Sequence, residues 1–508
     1  MSDPIKRDAR KISYFLTLLI LLVVPSAILL LIMRQTLAKG NPYLYSLFTK
    51  LGLALSIFLI VVSIASFMFF FIKHRKNFVF SIREVVYSKR EDIIYQPEAI
   101  SLKTRVTTVF VIPLSTLLML QLGLYHIHYL APYTPTGFVI DTLVPFLISI
   151  LVNGLVFPRI KPFRDIKPGE IKVVTIYSNA PAVASEVLTF SRNSFSKRLV
   201  ILSSILPPNI VETIKAHEME HVREHHILIR SIFYYLNWSL IITSIELTLI
   251  YLLVELYPHH FSFTINPAFV AKDGLLLISL ILIYLLLLRV TESRADAAAF
   301  RAVGKDAYDH VATLTKMFKD LKKDVKPVEI FPFSHMISSF LDRVVHTSSR
   351  EALRTGDALS SLAQWEIPAV FAFFGSIIEV LRLSSVNLVI FAFPLFFVGM
   401  FVVIVLVGLV FLPLTRSYGG TQKGRMNFSF LVSGLYLITD VITLTVIYNF
   451  YLALLVLVSG LVLSFLIQKS FLSDMRTAVK TFLITFAVYE TINVSLFLIF
   501  LGSHLGVF

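Results

Sequence analysis

Runs of apolar residues recur along the chain, and about 20 in succession suffice for one helix to cross the hydrocarbon core of a bilayer. Eleven such runs are read, at 12–33, 44–72, 106–130, 138–157, 231–257, 268–289, 368–383, 387–413, 428–447, 449–468 and 478–504. The stretch from Ile367 to Leu414 is too long for one helix and is interrupted by Arg382 and Ser384, so it is divided into two spans, the first of them short. Two long polar interruptions, 158–230 and 289–365, bracket the apolar hairpin 231–289. The pattern predicts a mainly α, polytopic helical membrane protein of about 11 spans, with one α+β domain assembled from the two insertions. Its parts are an N-terminal membrane region of four spans (1–157), a central domain that includes the hairpin (158–365), and a C-terminal module of about five spans (366–508).

Within the first insertion, Ile171 to Tyr177 and Arg198 to Ser203 are rich in β-branched residues and bounded by turn formers, so both read as strands. The chain then turns at Pro207 and Pro208. Asn209, with Glu212 three residues on, is expected to cap a helix whose Ile210 and Ile214 share a face. That helix is expected to run into the fifth span, and the sixth span to run on through TESRADAAAF, residues 291–300.

Composition agrees with the membrane class, at 56% hydrophobic and 15% charged residues. Charge then sets orientation, because Lys and Arg collect on the cytoplasmic side of short loops. With the N-terminus inside, 41 of the 46 basic residues fall in cytoplasmic segments, which puts both insertions in the cytoplasm and the C-terminus outside. The net charge of +14 is therefore topological; it suits anionic headgroups and calls for no nucleic acid. The basic loop 73–105 reads equally as an interfacial helix or a solvated loop. The first apolar run, preceded by Lys6, Arg7, Arg10 and Lys11, is longer than a signal-peptide core and lacks a clear cleavage site, so it is read as an uncleaved span. There is no cysteine, so any metal has to be held by histidine and carboxylates.

The segment HEMEH supplies such ligands. His217 and His221 are four residues apart, so on a helix both imidazoles project from one face, one turn apart, and can grip one ion. Glu218 beside them can take the proton of a water that a metal has acidified toward a pKa of about 7, and later deliver it to a leaving amine. A catalytic zinc takes three protein ligands and keeps one position open. Glu292 is the best candidate for the third, and Asp296, one turn on, can accept the free ring N–H of a ligating histidine. Taken alone, Glu292 and Asp296 read equally well as a solvated helix face. The hairpin folds their helix back beside the histidine helix, which raises them above that reading. On continuous helices His221 lies about 16 Å from Ile232, and Glu292 about 6 Å from Leu288, so one zinc per chain would sit just beneath the inner membrane surface.

Over roughly 170–355 these residues resemble the membrane gluzincin peptidases, the family that includes HtpX and the type I CAAX prenyl proteases. HEMEH, a downstream Glu292 with Asp296 four residues later, and His226 nine positions after His217 follow the family's pattern. The resemblance implies a zincin-like metalloprotease domain with His217, His221 and Glu292 on zinc, Glu218 as general base, and Asp296 and His226 behind the ligands. It also implies an edge strand that binds substrate by strand addition. SRNSFS is similar to the family's stretch before that strand, which points to Asn193 as a clamp on the substrate backbone. HTSSREALR resembles the region that approaches the substrate after the third ligand, which points to His346 and Arg350 as oxyanion donors. Here the spacing is shorter and the family's proline is missing. Where relatives often carry glycine, this chain has Glu220, expected to face solvent. The spans after residue 366 lie outside the resemblance.

The expected activity is zinc-dependent hydrolysis of membrane-associated proteins or peptides in the cell membrane, HtpX-like quality control first. CAAX prenyl-protein or signalling-type processing is the alternative within the class. Glu246, Glu379, Asp440 and Glu490 lie within spans, where charge is expensive, and they are the foothold for a transporter or channel with an incidental HExxH. His126, His128, His259 and His260 fall on the opposite side from HEMEH and cannot complete its site. Oligomeric state is not legible in the chain.

Overall fold

The computed structural model describes residues 131–159, 163–176, 181–192, 194–256, 258, 263–322, 350–472 and 474–504, with scattered positions between 30 and 120. The expected spans 12–33 and 106–130 lie largely outside the described residues and the loop 73–105 wholly so, while 44–72 is described in part. Six helices among the described residues are long and apolar enough to cross a membrane: Pro135–Arg159, His226–Leu256, Pro267–Val303, Val386–Phe411, Gln422–Thr445 and Phe450–Phe471. The chain forms two compact units, 1–266 with 301–345, and 267–300 with 346–508.

In the first unit α1 (Pro135–Val156) opens on Thr134, whose hydroxyl accepts from the Gly137 amide at 3.0 Å. It packs on α3 (His226–Leu256), and two hydrogen bonds cross between the pair. Asn153 donates to the Tyr235 hydroxyl, and the Thr243 hydroxyl donates to the Asp141 carbonyl at 3.2 Å. Such bonds replace the water that lipid cannot supply.

Three strands follow α1: β1 (Ile171–Ile176), β2 (Ala182–Leu188) and β3 (Ser196–Ser203), in the spatial order β1-β3-β2. β1 is parallel to β3 and β2 antiparallel to it, with Val173 opposite Val200 and Glu186 opposite Arg198. Phe163, Ile166, Val187, Leu199 and Ile201 form the core beneath the sheet. β1 and β3 cover the two expected strands, and β2 is additional. β3, the strand that leads into the histidine helix and was expected at the edge, is the central strand. Both of its sides are already hydrogen-bonded, so strand addition falls to β1 or β2.

Helix α2 (Pro208–Arg223) starts one residue earlier than the expected cap. Pro207 is the N-cap and Pro208 the first helical residue, so Asn209 lies inside the helix and caps nothing. Proline is well suited there, since its missing N–H falls among donors that a helix leaves unpaired anyway. Ile210 and Ile214 are buried together as expected. α2 does not run on into the span: it ends at Arg223, α3 starts at His226, and His225 between them has φ 56°. A left-handed residue cannot continue the i to i−4 ladder, so the rise counted along one continuous helix does not apply to His221. After Gly304 (φ 71°), α5 (Asp306–Lys322) returns to α2, where the Thr213 hydroxyl and His310 Nδ1 are 2.6 Å apart.

The second unit is organised by α4 (Pro267–Val303), which is continuous through Glu292 as expected. Its Arg289 donates to Glu366 Oε1 at 2.6 Å, and its Ser293 hydroxyl donates to the Ala358 carbonyl. The segment 351–365 is gripped from the other side by the loop and helix after residue 414. Asp357 is 6% exposed and accepts from Thr421 N and Oγ1 at 2.8 and 2.7 Å, from Leu359 N at 3.1 Å, and from the Tyr418 hydroxyl. Burial, and then the Asp357 carboxylate beside it, push the Tyr418 hydroxyl up from its ordinary pKa, so it stays a donor. Asn427 donates to the Leu359 and Leu362 carbonyls, and Lys423 pairs with Glu351 at 3.0 Å.

Four further helices complete this unit with α6 (Glu366–Val380): α7 (Val386–Phe411), α8 (Gln422–Thr445), α9 (Phe450–Phe471) and α10 (Met475–His504). The expected short span 368–383 corresponds to α6, whose 15 residues rise about 22 Å, less than a bilayer core, and it is not among the six. The last expected span falls in α10, which is not among them either. Phe391, Leu395 and Val398 on α7, with Leu455 and Val462 on α9, stand exposed, a surface suited to lipid. Asp440 on α8 accepts from Asn493 on α10 at 2.8 Å, so this in-span carboxylate has a side-chain partner.

A side chain at Gly424 would put Cβ 1.9 Å from Asp357 Oδ2. Gly424→Ala is accordingly expected to lose about 1–3 kcal/mol by displacing the carboxylate from its donors. Thermal unfolding in detergent reads this, with Gly399→Ala, which meets nothing within 4 Å, as the control.

Candidate metal centre

His217 and His221 lie on the last two turns of α2, which the sheet holds at its C-terminal end. Arg198 of β3 sends one N–H to the Val222 carbonyl at 3.3 Å and another to the Gly169 carbonyl. Val222 is among the carbonyls that a helix end leaves unpaired, and a guanidinium there also complements the helix dipole. Nearby, Lys197 donates to the Pro158 and Phe163 carbonyls at 3.3 and 2.9 Å. Burial lowers the pKa of its ammonium against the opposing pull of Asp165.

His217 and His221 lie one turn apart with ring centroids 4.9 Å apart and planes at 82°. His221 is 3% exposed and His217 half-buried. His226, also 3% exposed, meets His221 with the two Nδ1 atoms 3.1 Å apart. Glu218 is half-buried between the two histidines in sequence. Glu292 and Asp296 lie one turn apart on α4 and are both half-buried. His217, His221 and Glu292 each offer one ligand atom, and the three atoms lie within 4.8 Å of one another. Two imidazole nitrogens and a carboxylate oxygen, without thiolate, are the donor set of a three-ligand catalytic zinc. The residues present fit that metal.

Asn193 and His346 lie outside the described residues. Arg350 is half-buried just ahead of the helical turn Ala352–Thr355. Glu220 does not face solvent freely. Its side chain is 12% exposed, and it accepts from Arg301 at 3.2 Å. That partner is 81 residues away and could not be read from the helix itself. One participant at the end of α2, Glu186, was not foreseen, while His225 reads from the sequence as either a residue behind the ligands or a solvated one. Glu186 on β2 and His225 are in contact, with Glu186 Oε1 2.5 Å from His225 Nδ1. The signal for β2 was weak: in AVASEVL the successive residues Ser185, Glu186 and Val187 are all buried, so no alternation shows.

Because Arg301 is largely exposed, Glu220→Ala is expected to cost less than about 1 kcal/mol. Thermal unfolding in detergent checks it, and a larger loss would mean that Glu220 holds the helix.

No curated protein and no solved structure matches the chain. Residues 196–364 match the family model of peptidase family M48, a metallopeptidase family that contains HtpX and the CAAX prenyl proteases.

Proposed function

We propose that the protein is an integral-membrane zinc endopeptidase that hydrolyses peptide bonds of membrane-associated proteins at the cytoplasmic membrane surface, with HtpX-like quality control as its role. The observation that carries this reading is the group of His217, His221 and Glu292 within a region matched to a metallopeptidase family. The apolar helices support the membrane setting, and the distribution of basic residues supports the cytoplasmic side.

In this reading the two histidines and Glu292 hold one zinc, with Asp296 and His226 steadying the ligands. Zinc, when bound, supplies Lewis acidity toward water and the scissile carbonyl. Glu218 takes the proton of the attacking water and hands it to the departing amine nitrogen, acting first as base and then as acid. Arg350, with Asn193 and His346, is assigned to the substrate backbone and the developing oxyanion. An extended substrate is assigned to an edge of the sheet, β1 or β2, since β3 is paired on both sides.

Glu218→Gln is expected to retain zinc in the detergent-purified protein while hydrolysis of casein or of a membrane-protein substrate falls by about 100-fold or more. Metal analysis and a cleavage assay on the same preparation decide it; cleavage at the natural rate would remove Glu218 from its role. Glu292→Ala is expected to weaken zinc binding severely, read by competition with a chelator, and undiminished zinc content would exclude it as a ligand. Matched prenylated and unprenylated peptides separate quality control from CAAX-type processing, because only the latter requires the lipid.

A further inference from the structure

His226 reaches His221 across a separation that a helix does not allow. Residues five apart on a continuous helix point about 140° away from each other, so His226 would face away from the ring it touches. The chain reverses that disadvantage at one residue. α2 ends in a bond from the Glu224 amide to the Glu220 carbonyl at 3.0 Å, and His225 then adopts φ 56°. The His225 carbonyl accepts from the Ile229 amide at 3.0 Å, so the next helix begins at once in a new direction. The left-handed position after a helix end is ordinarily glycine or asparagine, because a Cβ there crowds the backbone. Among the described residues His225 is the one non-glycine residue with positive φ.

The sheet holds His225 in that conformation. Glu186, whose side chain is fully buried on β2, places Oε1 2.5 Å from His225 Nδ1. The Phe195 ring lies against the imidazole with centroids 4.6 Å apart. Glu186 is also the cross-strand neighbour of Arg198, the residue that binds the Val222 carbonyl. One strand pair therefore grips the chain on both sides of the turn.

We propose that His225 is a positioning residue of the metal centre: its left-handed backbone, clamped by Glu186 and Phe195, turns the chain so that His226 meets His221 and sets the orientation of its ring. This rests on the zinc reading above. A partner that engages the second nitrogen of a ligating histidine fixes its ring and raises its basicity, and losing one typically weakens metal binding about 10–100-fold.

The test is the zinc dissociation constant of the full-length protein in detergent, measured by chelator competition, with the visible spectrum of the cobalt-substituted protein as a report on ligand geometry. His225→Val, which opposes the left-handed backbone, is expected to weaken zinc about 10–100-fold and alter the cobalt spectrum. His225→Gly, which adopts that backbone freely, should stay within about threefold of the natural chain. Glu186→Ala should weaken zinc about 10-fold alone yet have no effect in the His225→Gly background, because a clamp matters only where the backbone resists. Circular dichroism and thermal unfolding of the metal-free variants separate a displaced ligand from a lost fold. Natural affinity in a folded His225→Val, or equal losses from glycine and valine, would overturn the proposal. Absence of zinc from the natural chain would overturn the metal reading first, and this proposal with it.

Discussion

The helix that carries His217 and His221 near its C-terminus ends in carbonyls that it cannot bond itself. The rest of this protein's first unit depends on how that end is finished. Arg198 supplies a cationic donor to Val222, and the chain leaves through His225 with Glu186 against its ring. Both partners come from adjacent strands, opposite each other in register, so the sheet and the helix end are specified together. The small size of the sheet is no handicap. Three strands provide two edges, one central strand and the residues that fasten α2, while α2 packs on β2 and β3 with its Ile210 and Ile214 buried.

The second unit shows the same economy with buried charge. Arg289 and Glu366, and Asp357 with its donors, are polar groups placed where water is scarce. A buried carboxylate is tolerable only when its oxygens are matched by donors, and Asp357 has four. Close backbone approach makes this arrangement tight, since Gly420 and Gly424 both lie where a side chain would strike Asp357. The helices after residue 366 therefore join the unit through specific bonds to 351–365, beyond any role in filling lipid.

Much of this was legible in the chain. The long apolar runs mark the helices of the described region, because a helix in lipid needs little beyond length and hydrophobicity. HEMEH could be read because four-residue spacing has one geometric meaning on a helix. What escaped depended on partners distant in sequence. Glu220 looked solvated until Arg301 was seen beside it, and Asn209 looked like a cap because Pro208 was not weighed as the first helical residue. β2 was invisible because its buried run includes Ser185 and Glu186, and β3 was assigned to an edge because its second neighbour was missing. The break at His225 carried no glycine or proline to announce it. The chain substitutes a clamp for the residue type that would have given it away.

The pocket around Asp357 also bears on where this protein can be divided. Residues 351–364 lie within the peptidase match, yet three of the four donors to Asp357 come from Tyr418 and Thr421. A fragment ended at residue 365 would keep the carboxylate and lose the groups that make its burial tolerable, along with the Asn427 bonds to Leu359 and Leu362. The peptidase region is thus not a detachable cassette: its own closing segment is folded by the part of the chain that follows it.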